Sequence, residues 1–382
     1  MKNRHRFTII GGGIAGLTTA IALRKAGIRA TLFEGAPALK TAGAGLALAA
    51  NAVKAFQKLG IADQILSAGR VLDAFVIRDE KGREITRTDS RAVSRKYGLD
   101  NFTIHRAALH QALLDQLIGT PILLGKRAIS IDQGADGTVV RFDDGSLHQT
   151  DYLIVADGIH SAIRRQLLPD SKPRYAGYTA WRSVVDSNGL DGQEATETWG
   201  RRGRFGIVPL ADRKIYWFAT VNAPANDPKF RSMTVQDLMD HFGNYHQPIP
   251  EILARTRNEQ LLWNDIIDLK PLPRFAFEKV VLLGDAAHAT TPNLGQGACQ
   301  AIEDAVVLAD ELVATDDVSL AFRRFEQRRL KRTRYIVDTS RRIGELAQTQ
   351  NTLLAWLRNG LFRMLPSSLN ERQLETLYNV DF

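Results

Sequence analysis

At 382 residues the chain is longer than one typical hydrophobic core organises, so two domains are expected. Its 44% hydrophobic and 24% charged residues, with no low-complexity tract and no repeat, exclude disordered, fibrous and solenoid classes. A formal charge of +8 raises the question of an acidic partner, while a single cysteine, Cys299, excludes an internal disulfide and any cysteine-built metal site.

The N-terminal MKNRHR followed by FTIIGGGIAGLTTAIAL imitates a secretory signal. Its apolar part is instead patterned as a strand over residues 7–10, a glycine turn and a helix to about Gly27, so cleavage would remove a core strand. No apolar run reaches the roughly 18 residues of a membrane span. A soluble, cytoplasmic protein without membrane contact is expected, and the lone cysteine fits a reducing compartment.

Gly11, Gly13 and Gly16 form G-x-G-x-x-G between that strand and the helix opened by Ile14 and Ala15, and a second strand over 30–33 ends at Glu34. Gly11 makes the tight turn, Gly13 lets backbone approach a pyrophosphate, Gly16 permits close helix packing, and Glu34 can accept from ribose hydroxyls. The pattern specifies a dinucleotide containing ADP, without separating NAD from FAD.

Next, residues 41–60 offer a small-residue turn at Gly43 and Gly45 and then a helix. Residues 71–97 read as strands with a turn at Lys81-Gly82, and 102–118 has helical spacing with Arg106 near its start. A cation there opposes the helix dipole, which points to an anionic partner for Arg106. Hairpins follow over 122–148, and 152–156 is a buried strand ending in Asp157-Gly158, which places a carboxylate at a sheet rim.

From about Tyr175 to Thr220 the pattern alternates as in an antiparallel sheet and gathers Tyr178, Trp181, Trp199, Phe205, Tyr216, Trp217 and Phe218. Such a sheet can floor a pocket or simply fill its own core. The face presented by Arg204 and Tyr216 depends on hairpin register around 210–213.

Residues 279–313 read as a strand, the rim carboxylate Asp285, a loop with Pro292, Gly295 and Gly297, and a helix from about Gly297 through Ala298. That helix start would offer free N–H groups and a positive dipole end to an electron-rich ligand. The run Arg323, Arg324, Arg328, Arg329, Lys331, Arg332, Arg334 carries much of the positive charge on a helical pattern with Phe322, Phe325 and Leu330. With no nucleic-acid motif beside it, a long scaffold helix is expected and nucleic acid is not.

Together, GGGIAG with Glu34, ADGIHSAIRR, and LLGDAAHATTPNLGQGACQAIEDA occur in an order that resembles the FAD-dependent aromatic hydroxylases, single-component flavoprotein monooxygenases of the para-hydroxybenzoate hydroxylase type. The resemblance implies a mixed α/β fold: a discontinuous Rossmann-like FAD-binding domain (1–75, 100–170, 275–320), an antiparallel-sheet substrate domain (76–99, 171–274) and a helical C-terminal segment (321–382). It implies that the glycine turn and Glu34 hold the ADP half of FAD, that Arg106 meets the pyrophosphate or ribityl region, and that Asp285 bonds the ribityl chain. Asp157 would help assemble the cofactor surface, and the Pro292–Gly297 loop would lie on the isoalloxazine. Gly35 departs from the arginine common after the acidic residue.

The chain has no second G-x-G-x-x-G, and the resemblance implies that NAD(P)H visits transiently and that O2 reacts through a hydroperoxyflavin, the flavin itself carrying the hard chemistry. The expected substrate is a small aromatic or heteroaromatic molecule oriented by Arg204 and Tyr216, a pattern similar to urate-hydroxylase-like members. A halogenase or desaturase of the same fold is the alternative, weakened by the absence of W-x-W-x-I-P; a flavin-binding redox sensor is another. His160, His288 and Cys299 are read as packing residues, and a monomer or homodimer without metal is expected.

Overall fold

A computed structural model describes residues 5–39, 44–98, 101–190, 192–364, 375–378, 380 and 382. Gly43 lies outside them.

The first strand, Phe7–Ile10, is buried at all four residues because parallel strands flank both its sides, the Ile14–Lys25 helix packs beside it, and its Thr8 hydroxyl lies 2.9 Å from His148 of an adjoining, antiparallel sheet. Across the sheet that holds it the strands run Ala276–Phe277, Val280–Leu282, Tyr152–Val155, Phe7–Ile10, Ala30–Phe33, Ile122–Leu123, all parallel except the first pair. The Ile14–Lys25 helix packs against the Gly297–Ala314 helix, so the first and last ligand-facing turns stand side by side at the strands' carboxyl ends. A three-stranded antiparallel sheet, Ala128–Gly134, Gly137–Phe142 and Leu147–Thr150, is joined to it through Phe33 and Phe142, whose ring centroids are 4.9 Å apart.

The second large sheet runs Leu262–Leu269, Pro173–Asp186, Lys214–Asn222, Gly203–Leu210, Glu194–Gly200, Ala74–Asp79, Glu84–Asp89. It is antiparallel but for Glu194–Gly200 beside Ala74–Asp79, a parallel pair that the alternation at 175–220 could not reveal. Behind it Trp181, Phe205 and Trp217 form a core with Leu238, Phe242, Ile249 and Ile252 from two short helices.

Three local expectations change. Residues 102–105 are a strand, held between Gly45–Leu48 and Gly69–Val71, and the helix starts only at Arg106. The β-branched and aromatic residues of FTIH fit a pleated surface better than a first helical turn. Gly45 accordingly sits in a strand, not a turn. Residues 90–97 are a helix rather than a strand, because Asp89 caps it by accepting from the Ala92 N–H at 2.9 Å. The basic run forms the expected long helix, Val318–Ala347.

Candidate active site

A cavity of about 1260 Å³ opens between the carboxyl ends of the parallel sheet and the face of the seven-stranded one. That exceeds the roughly 300–1,000 Å³ of an ordinary small-ligand pocket. Its wall brings together Gly11, Gly13, Ile14, Ala15, Glu34, Arg106, Asp157, Asp285, Pro292, Gly295, Gly297 and Ala298 on one side, and Gly45, Arg204 and Tyr216 on the other. Gly16 lies beneath the wall.

The glycine turn is built by contact. Gly11 adopts φ 105°, and a Cβ there would fall 2.3 Å from the Ala156 carbonyl oxygen. At Gly16 a Cβ would sit 1.8 Å from the Gly11 oxygen, so any side chain would push the helix off the turn. Gly13 differs: nothing lies within 4 Å of its missing Cβ, and the open space belongs to the cavity. The Glu34 carboxylate is aimed at the same rim by accepting from the Gly12 and Ala36 N–H groups at 2.6 and 2.7 Å.

Two carboxylates stand unneutralised on this wall. Asp157 keeps one oxygen buried without a partner, and burial pushes its pKa up to about 6 despite Ser161 and Arg164 nearby. Asp285 has its surface on the cavity yet is enclosed by protein atoms; that enclosure raises its pKa, with His288 and Arg106 pulling the other way. Arg106 is exposed to the cavity at the first residue of its helix. The Gly297–Ala314 helix begins there without a side-chain cap, leaving its first N–H groups directed at the same space. A buried unpaired carboxyl oxygen, an open glycine and an uncapped helix start fit a polyhydroxylated dinucleotide such as FAD.

Sequence reasoning missed the scaffold that fixes this corner. Asp304 accepts from the Gly284 N–H at 2.8 Å and bonds His288 Nε2 at 2.6 Å, while Arg329 donates to Asp304 at 2.7 Å and to Glu303 at 2.5 Å. Arg332 adds two bonds of 2.7 Å to Glu303. All three acid and arginine centres, Glu303, Asp304 and Arg329, are buried. The available signal was two adjacent acids inside the otherwise apolar stretch QAIEDAVVL, which need cationic partners if that helix is covered. His288 and Cys299 are buried, the Cys299 thiol pushed up to about 12 by burial, but His160 is exposed on the cavity rim rather than packed.

On the opposite wall, register decides which side chains face inward. Arg204 pairs with Thr220 and Trp199, Val208 with Tyr216, and Arg182 with Phe218, so these share the cavity face while Phe205 and Trp217 face the rear core. The Tyr216 ring lies where a Cβ on Gly45 would come within 2.5 Å, which locks it between the two halves of the fold. Arg204 is 3% exposed, 3.0 Å from Glu197 and 3.2 Å from the Thr220 hydroxyl, with Tyr178 beneath it at 5.3 Å. The protein itself thus supplies the anionic partner of Arg204. Glu197 also accepts from the Trp199 indole at 2.9 Å.

Residues 5–340 match the family described as FAD binding domain. The chain is 41% identical over 372 residues to the aurachin C monooxygenase/isomerase of Stigmatella aurantiaca, covering 96% of each chain. It is 33% identical over 374 residues to the 2-heptyl-3-hydroxy-4(1H)-quinolone synthase of Pseudomonas aeruginosa, covering 97% of each. The solved Klebsiella pneumoniae HpxO complexed with FAD and uric acid superimposes with a TM-score of 0.92 at 30% identity, over 99% of this chain and 97% of that one. The chain belongs to this FAD-binding family, among the FAD-dependent monooxygenases of the aromatic hydroxylase type.

Proposed function

We propose that the enzyme uses NAD(P)H and O2 to hydroxylate a small planar heteroaromatic substrate, releasing water and NAD(P)+. The observation that supports this is one continuous cavity: one end carries Glu34, Asp157, Asp285 and the uncapped helix start, and the other is floored by Tyr216, Phe218 and Val208. Similar proteins are named for hydroxylating urate and for synthesising a 4(1H)-quinolone, both fused nitrogen heterocycles.

FAD, when bound, accepts the hydride and delivers one atom of dioxygen. In our reading Gly11, Gly13 and Glu34 hold the ADP portion, Arg106 the pyrophosphate, and Asp157 and Asp285 the ribityl hydroxyls. The Pro292–Gly297 loop would lie along the ring system, where the dipole of the helix that follows favours negative charge. Arg204 and Tyr216 orient the substrate from the sheet, and the packed walls limit water. The binding unit spans 1–75, 100–170 and 275–320 and the substrate sheet 76–99 and 171–274, with residues 321–382 as brace. Among the described residues no helix is long and apolar enough to cross a membrane. We assign the enzyme to the cytoplasm as a monomer or homodimer.

Purified protein should be yellow, release FAD on denaturation, and oxidise NAD(P)H faster with substrate while forming a product heavier by one oxygen. A preparation that takes up no FAD from excess, or consumes NAD(P)H without any oxygenated product across a panel of heteroaromatics, overturns this reading.

A further inference from the structure

The floor of the cavity is longer than a planar ring needs. One row of paired residues runs sideways across five strands of the large sheet, from Phe218 through Gly206, Glu197 and Ile77 to Thr86. At about 4.8 Å between neighbouring strands, the row is about 19 Å long. Apart from Gly206, whose missing side chain makes room for the Phe218 ring, every member lines the cavity.

The chemistry changes along this row. Glu197 is already satisfied, by Arg204 at 3.0 Å and the Trp199 indole at 2.9 Å. Beyond it the floor is apolar: Leu72, Ala195 and Val208 pack as one cluster that also takes in Tyr216 and Phe218. Phe75, paired with Ala195 across the strands, continues the surface on the cavity side. At the far end Ile77 packs in a cluster with Phe362, from the Thr352–Met364 helix that lies against the Glu84–Asp89 strand. The polar groups along that edge are the uncharged hydroxyls of Thr86, Thr88 and Ser90.

Two large apolar side chains on the cavity wall stay uncovered, Phe75 at 37% exposure and Leu346 at 51%. Concave apolar surface of this kind gains free energy when an apolar group covers it.

We propose that this strip holds an aliphatic chain carried by the substrate, so that the substrate class is a heteroaromatic ring bearing an alkyl tail. The proposal rests on the hydroxylase reading, in which the ring lies over Tyr216 and Phe218, and it narrows that reading. With the ring over the first two strand spacings, about 10 Å of apolar floor remains for the chain. Anchoring the tail also fixes how the ring is turned toward the cofactor end of the cavity.

The test uses the FAD-loaded enzyme and a series of 4(1H)-quinolones with methyl, propyl, pentyl or heptyl chains at the 2-position, titrated through the change in flavin absorbance. Affinity should rise about two- to fourfold with each methylene, the scale of burying one such group. Ala195→Phe fills the strip beside Leu72 and Val208 and should abolish the rise while leaving the methyl compound bound as before. Phe75→Ser, at an exposed position where the fold is little affected, should weaken the heptyl compound and spare the methyl one. FAD titration of both variants confirms that the cofactor end is intact. A flat series in the wild type, binding of no member, or a rise that persists unchanged in either variant overturns the proposal. The hydroxylase reading fails separately, on missing FAD or missing oxygenated product, whereas the chain-length series is read from binding alone.

Discussion

Glu197 holds Arg204 at 3.0 Å on the cavity face of two neighbouring strands, and both side chains are largely removed from solvent. Removing either member of such a buried pair leaves the other uncompensated, which ordinarily costs about 3–5 kcal/mol. The pair is thus a fixed edge of the cavity rather than a free cation waiting for an anion.

Arg204→Gln should keep FAD and NAD(P)H oxidation but divert much of the reducing power to hydrogen peroxide, because a slightly misplaced ring loses the transfer step. Peroxide and hydroxylated product, each quantified per NAD(P)H consumed, decide it. Unchanged product yield would mean that Arg204 does not position the substrate. Adding Glu197→Gln should recover stability without recovering coupling.

Asp285→Ala should weaken FAD binding by about ten- to a hundredfold, corresponding to roughly 1.5–3 kcal/mol for a charge-assisted hydrogen bond. Apoprotein melting should move little, since Asp285 faces the cavity and burial works against its charged form. Titration of apoprotein with FAD measures the effect, and wild-type affinity would remove Asp285 from the cofactor site.

Asp157 predicts a pH dependence whose sign is fixed by burial. Its folded pKa, about 6, lies above the ordinary 3.8, so the folded cofactor-free protein holds this proton more tightly than the unfolded chain. The stabilisation is complete below about pH 4 and is lost as pH rises through 6. Asp157→Asn mimics the neutral form, so its stability relative to wild type should grow across that window and then level off. Denaturation of both apoproteins at several pH values tests this; parallel curves would show that the carboxyl is not held without a partner.

Arg329→Met should destabilise the protein by about 3–5 kcal/mol, because Glu303 and Asp304 remain buried beside it. Asp304 also holds the Gly284 N–H, next to Asp285, so FAD affinity should fall as well. Urea denaturation and FAD titration of one variant check both effects. Loss of stability with intact FAD affinity would uncouple the ion network from the cofactor corner.

Much of the cofactor side was legible because its signals are local: strand, glycine turn, helix and acidic residue fall within residues 7–34, and the uncapped helix start follows its own loop. Charge pairing was not. Arg329 meets Glu303 across two helices, and in sequence it reads as one more surface cation in a basic run. The cavity face of the seven-stranded sheet was equally hidden, since it hangs on the turn at 211–213, where Asp212 and Arg213 adopt φ 56° and 53° and set Leu210 opposite Lys214. One residue more or fewer there would turn Tyr216 into the rear core. Arg182 had no signal at all until strand pairing placed it opposite Phe218 on the cavity face.

The order of strands in the parallel sheet also bears on how the chain is made. Tyr152–Val155 receives its outer neighbour, Val280–Leu282, only after the entire seven-stranded sheet has been synthesised. Until then a hydrophobic strand edge stands open on the ribosome, and closing it requires contacts separated by more than a hundred residues. Such late, non-local pairing slows folding and leaves an aggregation-prone intermediate. Expression at lower temperature or with added chaperone capacity should therefore raise the soluble yield.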